Sequence, residues 1–317
     1  MKAIICTKYG PPEVLQLQEV EKPTPKNNEV LIKIQATAVT ASDCIIRGFN
    51  LPGKPRFPQK QIMELMMRFY IGFSKPRNPI IGLVLSGTIE SVGKDVKQFK
   101  KDDHVYGFTG FSMGAYAEYK CMREKESTQG CLAIKPGNFS HEEAVAVTYG
   151  GILSMHFIKK MNIKSGQKVL IYGASGAIGT IAIQLAKYFG AEVTAVCSDP
   201  NTELVKSLGA DKTIDYTKDD SIKKLELYDF VLDAVGRNKS SKLKAQCKKA
   251  LKRNGKYISV DDGDVKLRSQ YLIQLKEIIE AGHLKAVIDS RYPLEQIVQA
   301  HRYVDKGHKK GSVVITI

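Results

Sequence analysis

Two hydrophobic rhythms divide this chain. Up to about residue 120 the apolar positions fall in short strand-like runs, such as 30–39 and 83–92. Proline and glycine cut these runs repeatedly, at Gly10-Pro11-Pro12, Pro23, Pro25, Gly87 and Gly93. From about residue 140 the pattern changes to helices alternating with buried strands. Helical spacing predicts a helix over 141–160, with Ser140 as N-cap and Glu142 and Glu143 in the first turn. Residues 169–172 are apolar without alternation, which suits a parallel strand covered on both faces. Further strands are predicted at 213–216, 229–235 and 256–260, helices at 242–252, 269–281 and 293–306, and a last strand at 312–317. The expectation is an α/β chain: a doubly wound parallel sheet plus a β-rich first unit, to which the final strand returns. One segment stands apart, between the prolines at 52, 55 and 58 and those at 76 and 79. Residues 61–73 read as a short Met-rich helix, either packed into the core or set as a flap over an apolar pocket.

The strand at 169–172 gives way to Gly173, Gly176 and Gly179, three apart, and then to Ile181, Ile183, Leu185 and Ala186 in a helix. A turn free of Cβ atoms lets backbone N–H groups approach a pyrophosphate, and the helix N-terminus adds partial positive charge. A second strand follows at the right distance and ends near Ser198, so the context is that of a dinucleotide-binding unit rather than an ordinary crossover. Units of this kind that take NAD place an acid about 20 residues on, to hold the ribose hydroxyls. The tip here reads Cys197-Ser198-Asp199-Pro200-Asn201. With Ser198 in the acid position a 2′-phosphate meets a hydroxyl, which favours NADPH. A shift of one residue puts Asp199 there and makes NADH the alternative, although Pro200 fixes the turn and can aim that carboxylate away. Ala234-Val235 and Val260-Asp261 end the fourth and fifth strands, at the edge where such sheets bind ligands; loop packing is the other reading.

A length of 317 residues fits two domains, and 43% apolar with 26% charged residues is ordinary for a globular protein. No apolar run reaches the roughly 18 residues that span a bilayer, and the first ten residues lack the shape of a signal peptide. Six scattered cysteines with no Cys-x-x-Cys pair suggest free thiols in a reducing cytoplasm. The net charge of +15, from 48 Lys and Arg against 33 Asp and Glu, raises nucleic-acid binding as a reading. The lysines, however, are spread over helix faces, as in Lys159-Lys160, Lys223-Lys224 and Lys248-Lys249, without a basic block interleaved with aromatics. A solvated basic surface that draws in a polyanionic cofactor is the better reading.

Several segments, taken in order, resemble the medium-chain dehydrogenase/reductase superfamily on its zinc-independent, quinone-oxidoreductase-like branch. They are Met1-Lys2-Ala3 with Tyr9-Gly10-Pro11-Pro12-Glu13-Val14-Leu15, then Gly114-Ala-Tyr-Ala-Glu-Tyr119, and the Gly173-x-x-Gly176-x-x-Gly179 loop. Glu203-Leu-Val-Lys-Ser-Leu-Gly-Ala-Asp211 leading to Ile214-Asp-Tyr216, and Lys310-Gly311 before Val313, complete the set. The resemblance implies a GroES-like catalytic domain over 1–122 and 282–317 around a Rossmann NADP-binding domain over 123–281, with the nicotinamide in the cleft and a homodimer as the assembly. It implies that Ser175, Gly176, Ala177 and Ile178 meet the pyrophosphate and that Ser198, Asn201 and Tyr216 contact the adenosine 2′-phosphate. Lys310 and Gly311 then approach the cofactor from the returning segment. The basic residue usual in the family near 200–201 is absent.

The resemblance also bears on metal. Zinc-dependent relatives supply a Cys where this chain has Thr40, a His near Leu83, and a Cys or Asp near Thr148, and the four-cysteine structural lobe is missing. No metal is therefore expected. His104, His141 and His156 read as isolated surface or helix-face residues. Oxidising an unactivated alcohol calls for a Lewis acid, whereas conjugate reduction needs less help. The implied chemistry is hydride transfer from NADPH to a small-molecule quinone or to the β-carbon of an α,β-unsaturated carbonyl (enone). Thr40, Asp43 and Tyr149 are the catalytic candidates. Asp43 reads as readily as a carboxylate capping the helix that follows, and water can equally deliver the proton. The rivals are a zinc-type alcohol or aldehyde dehydrogenase and a non-catalytic NADPH-binding redox sensor or RNA-binding protein.

Overall fold

The computed structural model describes residues 1–49, 59–236, 241–263 and 265–317. In chain order it opens with β1 (Lys2–Cys6), β2 (Leu15–Glu19), β3 (Glu29–Val39), α1 (Ala41–Gly48), α2 (Gln59–Ile71), β4 (Val84–Val92), β5 (His104–Phe108), β6 (Tyr119–Arg123) and β7 (Cys131–Ile134). Next come α3 (His141–Met161), β8 (Lys168–Tyr172), α4 (Ala177–Tyr188), β9 (Glu192–Cys197), α5 (Thr202–Ser207), β10 (Lys212–Asp215), β11 (Tyr228–Asp233), α6 (Lys242–Cys247) and β12 (Leu251–Ser259). The chain finishes with α7 (Ser269–Glu280), β13 (Ile288–Pro293), α8 (Ile297–Asp305) and β14 (Ser312–Thr316).

Among the described residues β8 to β12 form a five-stranded, all-parallel sheet in the order β10-β9-β8-β11-β12. Val169 and Ile171 face α4 and α7, packing with Ile181, Leu185, Leu272 and Leu275. Leu170 faces the other way, packing with Leu243 and Cys247 of α6. Helices on both faces explain why the strand is apolar at every position. The order reverses between β8 and β11, so a crevice opens at the carboxyl ends of the strands there.

The other large sheet has seven strands among the described residues, β13-β14-β3-β4-β5-β7 with β6 also on β3. β14 lies antiparallel to β3, with Val313 opposite Val39, so the final strand does return to the first unit. β7 pairs with β5, so this sheet runs past residue 122, where the sequence reading places the division. Helix α3 joins the two sheets. Ala144, Val147, Ile152 and Met155 enter the core of the parallel sheet, while Val145 and Ala146 pack on Ala36, Val84 and Val314. Ser140 starts α3 with a capping box: its Oγ accepts from the Glu143 N–H, and the Glu143 carboxylate accepts from the Ser140 N–H.

Two elements depart from expectation. The helix over 242–252 stops at Cys247, because Leu251 already pairs with Tyr228 in the parallel sheet. The Met-rich helix forms as α2, but among its described side chains only Met67 and Ile71 join the core. No helix among the described residues is long and apolar enough to cross a membrane.

Buried Arg47 clamps α1 to α8. Its Nη2 pairs with Asp305 Oδ2 at 2.8 Å, Nη1 meets His301 Nδ1 at 3.1 Å, and Nε donates to the Gly10 carbonyl at 3.1 Å. Burial, and then the guanidinium, push the His301 imidazole down to about 3. The folded protein thus refuses a proton that the unfolded chain accepts below its ordinary value of about 6.5, so this site loses stability as pH falls through that window. His301→Gln is expected to flatten the acid limb of the unfolding free energy, measured by urea titration at about pH 4 to 6, by up to ~1.4 kcal/mol per pH unit. An unaltered limb would assign the acid sensitivity to other groups.

Candidate functional site

The crevice is built from the glycine turn upward. Gly173 has φ +82°, a conformation that favours glycine. A Cβ there would lie 2.3 Å from Val235 Cγ2, and one on Gly179 would lie 2.3 Å from the Gly173 carbonyl oxygen. Packing alone demands these two glycines. Gly176 is different, because its Cβ would meet nothing nearer than 3.6 Å. It caps α4 without any side-chain hydrogen bond, so the first-turn N–H groups keep their donors free of a side-chain cap. Ser175, Gly176, Ala177 and Ile178 are half-buried, whereas Gly179 and Thr180 beneath them are buried. Room for a side chain at the uncapped end of a helix fits the approach of a diphosphate.

At the end of β9, Asn201 Nδ2 donates to Ser175 Oγ at 3.2 Å and to Ser198 Oγ at 3.1 Å. Three residues singled out from sequence therefore form one cluster. Asn201 Oδ1 is buried with no hydrogen-bond partner among the described residues, an acceptor left over for a ligand hydroxyl. The Tyr216 N–H holds the Cys197 carbonyl, and its exposed ring stands 6.4 Å from that of Tyr172. Asp199 points outward with its side chain 73% exposed, 3.8 Å from Lys218 Nζ. Ser198, and not Asp199, faces the cluster. Lys218, arriving from the turn after β10, is a cation at this end that sequence spacing did not reveal; its one signal is its place two residues beyond Tyr216.

Across the switch point Asp233 fixes the ends of β11 and β12. Its Oδ1 accepts from the N–H groups of Val235 and Gly236, each at 3.1 Å, and its Oδ2 accepts from the Tyr257 hydroxyl at 2.8 Å. This sets Ala234 and Val235 beside Gly173, while the Val260 N–H holds the Asp233 carbonyl and Asp261 lies against Gly236. From the opposite side the Gly311 N–H donates to the Ser175 carbonyl at 2.9 Å. Lys310, expected to reach the cofactor with Gly311, is exposed. Its neighbour Lys309 is half-buried instead, with Nζ donating to the Gly311 carbonyl at 2.6 Å, and burial pushes its ammonium down to about 8.

Of the three catalytic candidates, Thr40 and Asp43 are bonded to each other. Thr40 Oγ1 and N–H donate to Asp43 Oδ2 at 2.6 and 2.8 Å, and the Asp43 N–H donates back to Thr40 Oγ1 at 3.2 Å. Both are buried, and together they form the box that starts α1, the capping role weighed for Asp43 from sequence. Burial raises the Asp43 carboxyl to about 7. Tyr149 is placed otherwise. Its hydroxyl meets Ser42 Oγ at 2.7 Å, and its ring stacks on Phe108 with centroids 6.0 Å apart. Gly150, the next residue, packs so tightly on α4 that a Cβ would lie 2.1 Å from the Ala177 carbonyl oxygen, so α3 lies against the start of α4 one residue from Tyr149. Two hydroxyls sharing one hydrogen bond leave one proton free to donate elsewhere. Burial lifts the Tyr149 hydroxyl above its ordinary range and keeps it protonated. Ser42 escaped the sequence reading; its signal is its place in the first turn of α1, two residues after Thr40.

Comparisons with known proteins match both parts of the chain. A family model described as an alcohol dehydrogenase GroES-like domain matches residues 26–136. Two described as zinc-binding dehydrogenase match 177–283 and 263–315. The 2-methylene-furan-3-one reductase of Solanum lycopersicum is 31% identical over 99% of this chain and 79% of its own length. The chain belongs to the medium-chain dehydrogenase/reductase superfamily, on its quinone-oxidoreductase-like branch. An NADPH-dependent alkenal/one oxidoreductase, chloroplastic, from Arabidopsis thaliana is 29% identical with the same coverage, 99% and 79%. The solved quinone oxidoreductase from Coxiella burnetii superposes with a TM-score of 0.83 at 25% identity, over 100% of this chain and 99% of that one. The Rossmann sheet and the GroES-like sheet are thus those of the family.

Zinc, which the family description names, finds no ligand set at the family positions. Thr40 is tied to Asp43, Leu83 is apolar, and Thr148 donates to the Ala144 carbonyl in its own helix. Among the described residues no three His, Cys, Asp or Glu side chains gather as a metal-holding group. His104 and His141 meet edge to face at 5.2 Å, each also within hydrogen-bond reach of a hydroxyl, Thr88 and Ser86. His156 stands in α3 against the rings of Phe157 and Tyr271.

Proposed function

We propose that this protein is an NADPH-dependent reductase of enones or quinones that works without a metal ion. The observation that carries the reading is the uncapped, unobstructed Gly176 end of α4, with Tyr149 of the Ser42–Tyr149 hydroxyl pair on the helix packed against it. Ser175 to Ile178 would hold the pyrophosphate. Ser198, Asn201, Tyr216 and Lys218 would meet the adenosine 2′-phosphate end, with NADH as the weaker cofactor. Ala234, Val235, Val260 and Asp261 would line the crevice, and Gly311 with Lys309 would close it. Bound NADPH supplies a hydride. Tyr149 and Ser42 donate a hydrogen bond to the acceptor oxygen, where negative charge collects, and a proton from solvent then neutralises the product. Conjugation spreads that charge, so neutral donors suffice where an alkoxide would call for a Lewis acid. Thr40 and Asp43 act as positioning residues, since they fix the helix start that carries Ser42. Relatives named as 2-methylene-furan-3-one reductase and alkenal/one oxidoreductase support the substrate class. We place the catalytic domain at about 1–134 and 282–317, around the cofactor domain. A homodimer in a reducing cytoplasm, consistent with six free thiols, completes the proposal.

Cofactor choice gives a direct check. Ser198→Asp restores an acid at the tip of β9, so kcat/KM with NADPH should fall at least about 10-fold while the value with NADH changes little. Equal losses with both cofactors would remove Ser198 from the 2′-phosphate site. The function itself is tested by following cofactor oxidation with a panel of enones, quinones and aldehydes, before and after dialysis against a chelator. Enone or quinone turnover that survives chelation is expected. Alcohol or aldehyde turnover lost on chelation would favour the zinc-type dehydrogenase, and tight NADPH binding without turnover would favour the non-catalytic reading.

A further inference from the structure

Helix α2 presents its apolar side to water. Ile62, Leu65, Met66, Phe69 and Tyr70 recur at the three- and four-residue spacing of one helical face, and Phe73 follows in the turn after it, yet each is 55–62% exposed. Met67 and Ile71, on the opposite side, join the core. Phe111 arrives from a separate loop and stacks on Tyr70 with ring centres 6.1 Å apart, which widens the patch. Isolated exposed apolar residues are ordinary, whereas a continuous stripe marks contact with a partner or another phase. The border of this stripe is basic. The Arg68 guanidinium lies 4.4 Å from the centre of the Phe49 ring, Arg77 lies 5.4 Å from that of Phe69, and Lys75 is exposed close by.

We propose that α2 and the turn after it dock on an anionic lipid surface, with the apolar stripe in the boundary between headgroups and acyl chains and the basic rim on the lipid phosphates. The stripe is a row of protruding side chains on a helix. A bilayer accepts such side chains without a matching surface, whereas a protein partner must supply one. Charge argues against a second copy of this chain as the occupant. A two-fold contact sets the same patch against itself, which would bring Arg68, Lys75 and Arg77 close to their own copies on a chain already carrying +15. With an anionic surface the same charges attract. The proposal concerns binding alone and stands apart from the proposed reaction.

Co-sedimentation of the full chain with vesicles tests it. Vesicles of phosphatidylcholine with about 30% phosphatidylglycerol should bind at least about 10-fold more tightly than phosphatidylcholine alone, with binding weakening as salt rises from about 0.05 to about 0.5 M. Phe69→Ser with Phe73→Ser should lose at least about 10-fold in binding, and Lys75→Glu with Arg77→Glu a similar factor. All four side chains are exposed, so unchanged unfolding midpoints are expected and serve as the control for folding. Absence of binding overturns the proposal. Binding that persists at full strength in the Phe69/Phe73 variant also overturns it, as mere adsorption of a basic protein. A solution dimer that the same variant splits, without vesicle binding, assigns the stripe to a second copy instead.

Discussion

Gly176→Glu is expected to weaken NADPH binding at least about 100-fold, equivalent to ~2.7 kcal/mol, while the cofactor-free protein unfolds within about 2 °C of the wild type. The two halves of this result come from separate facts. Gly176 has an ordinary φ of −80°, and the nearest atom to a Cβ there is 3.6 Å away, so the fold accepts a side chain. The added carboxylate would occupy the position proposed for a diphosphate at the first turn of α4, replacing favourable N–H contacts with like charge. Gly173→Ala is the contrast. Its positive φ and the 2.3 Å approach to Val235 predict lost stability before any loss of binding can be read. Isothermal titration with NADPH, paired with thermal unfolding, separates the two glycines. A Gly176→Glu protein that binds NADPH normally would remove the cradle from the account.

The second large effect is on turnover. Tyr149→Phe should lower kcat about 100-fold with an enone and leave the NADPH dissociation constant within about 2-fold, because it removes a donor that acts on the acceptor's oxygen and not on the cofactor. Ser42→Ala should cost less, since Tyr149 keeps its own proton when its partner is gone. The double variant should fall little below Tyr149→Phe, as expected for two hydroxyls acting as one unit. Normal kcat in Tyr149→Phe would move the donor elsewhere or leave the hydrogen bond to water. Burial keeps the Tyr149 hydroxyl protonated well past neutrality, so no loss of kcat from its ionisation is expected between about pH 6 and 9.

The fold was legible where period and glycine placement left few alternatives. The unbroken apolar run before Gly173 suits a doubly covered strand, and a final strand after the nucleotide-binding unit suggests a return to the first sheet; both are found. The glycine spacing, by contrast, could not separate Gly173 and Gly179, which packing requires, from Gly176, which leaves space for a ligand. Other misses are tertiary. Lys218 reaches the tip of β9 from a neighbouring strand's turn, and the choice between Lys309 and Lys310 depends on which side of an extended segment faces inward, a matter of one residue. Ser42 becomes informative only once α3 brings Tyr149 to it. The lysine-rich stretch after Cys247 has helix propensity, yet pairing with β11 draws Leu251 into the sheet. For the Met-rich helix, core packing accounts for Met67 and Ile71 and leaves the exposed face to the lipid proposal.

The measurement that bears most directly on the central claim is the fate of a labelled hydrogen. NADPH carrying deuterium at C4 of the nicotinamide, incubated with the metal-depleted protein and an enone, is predicted to yield a saturated carbonyl with deuterium on the β-carbon. Label found instead on the carbinol carbon of an allylic alcohol, or turnover that requires added zinc, would contradict it.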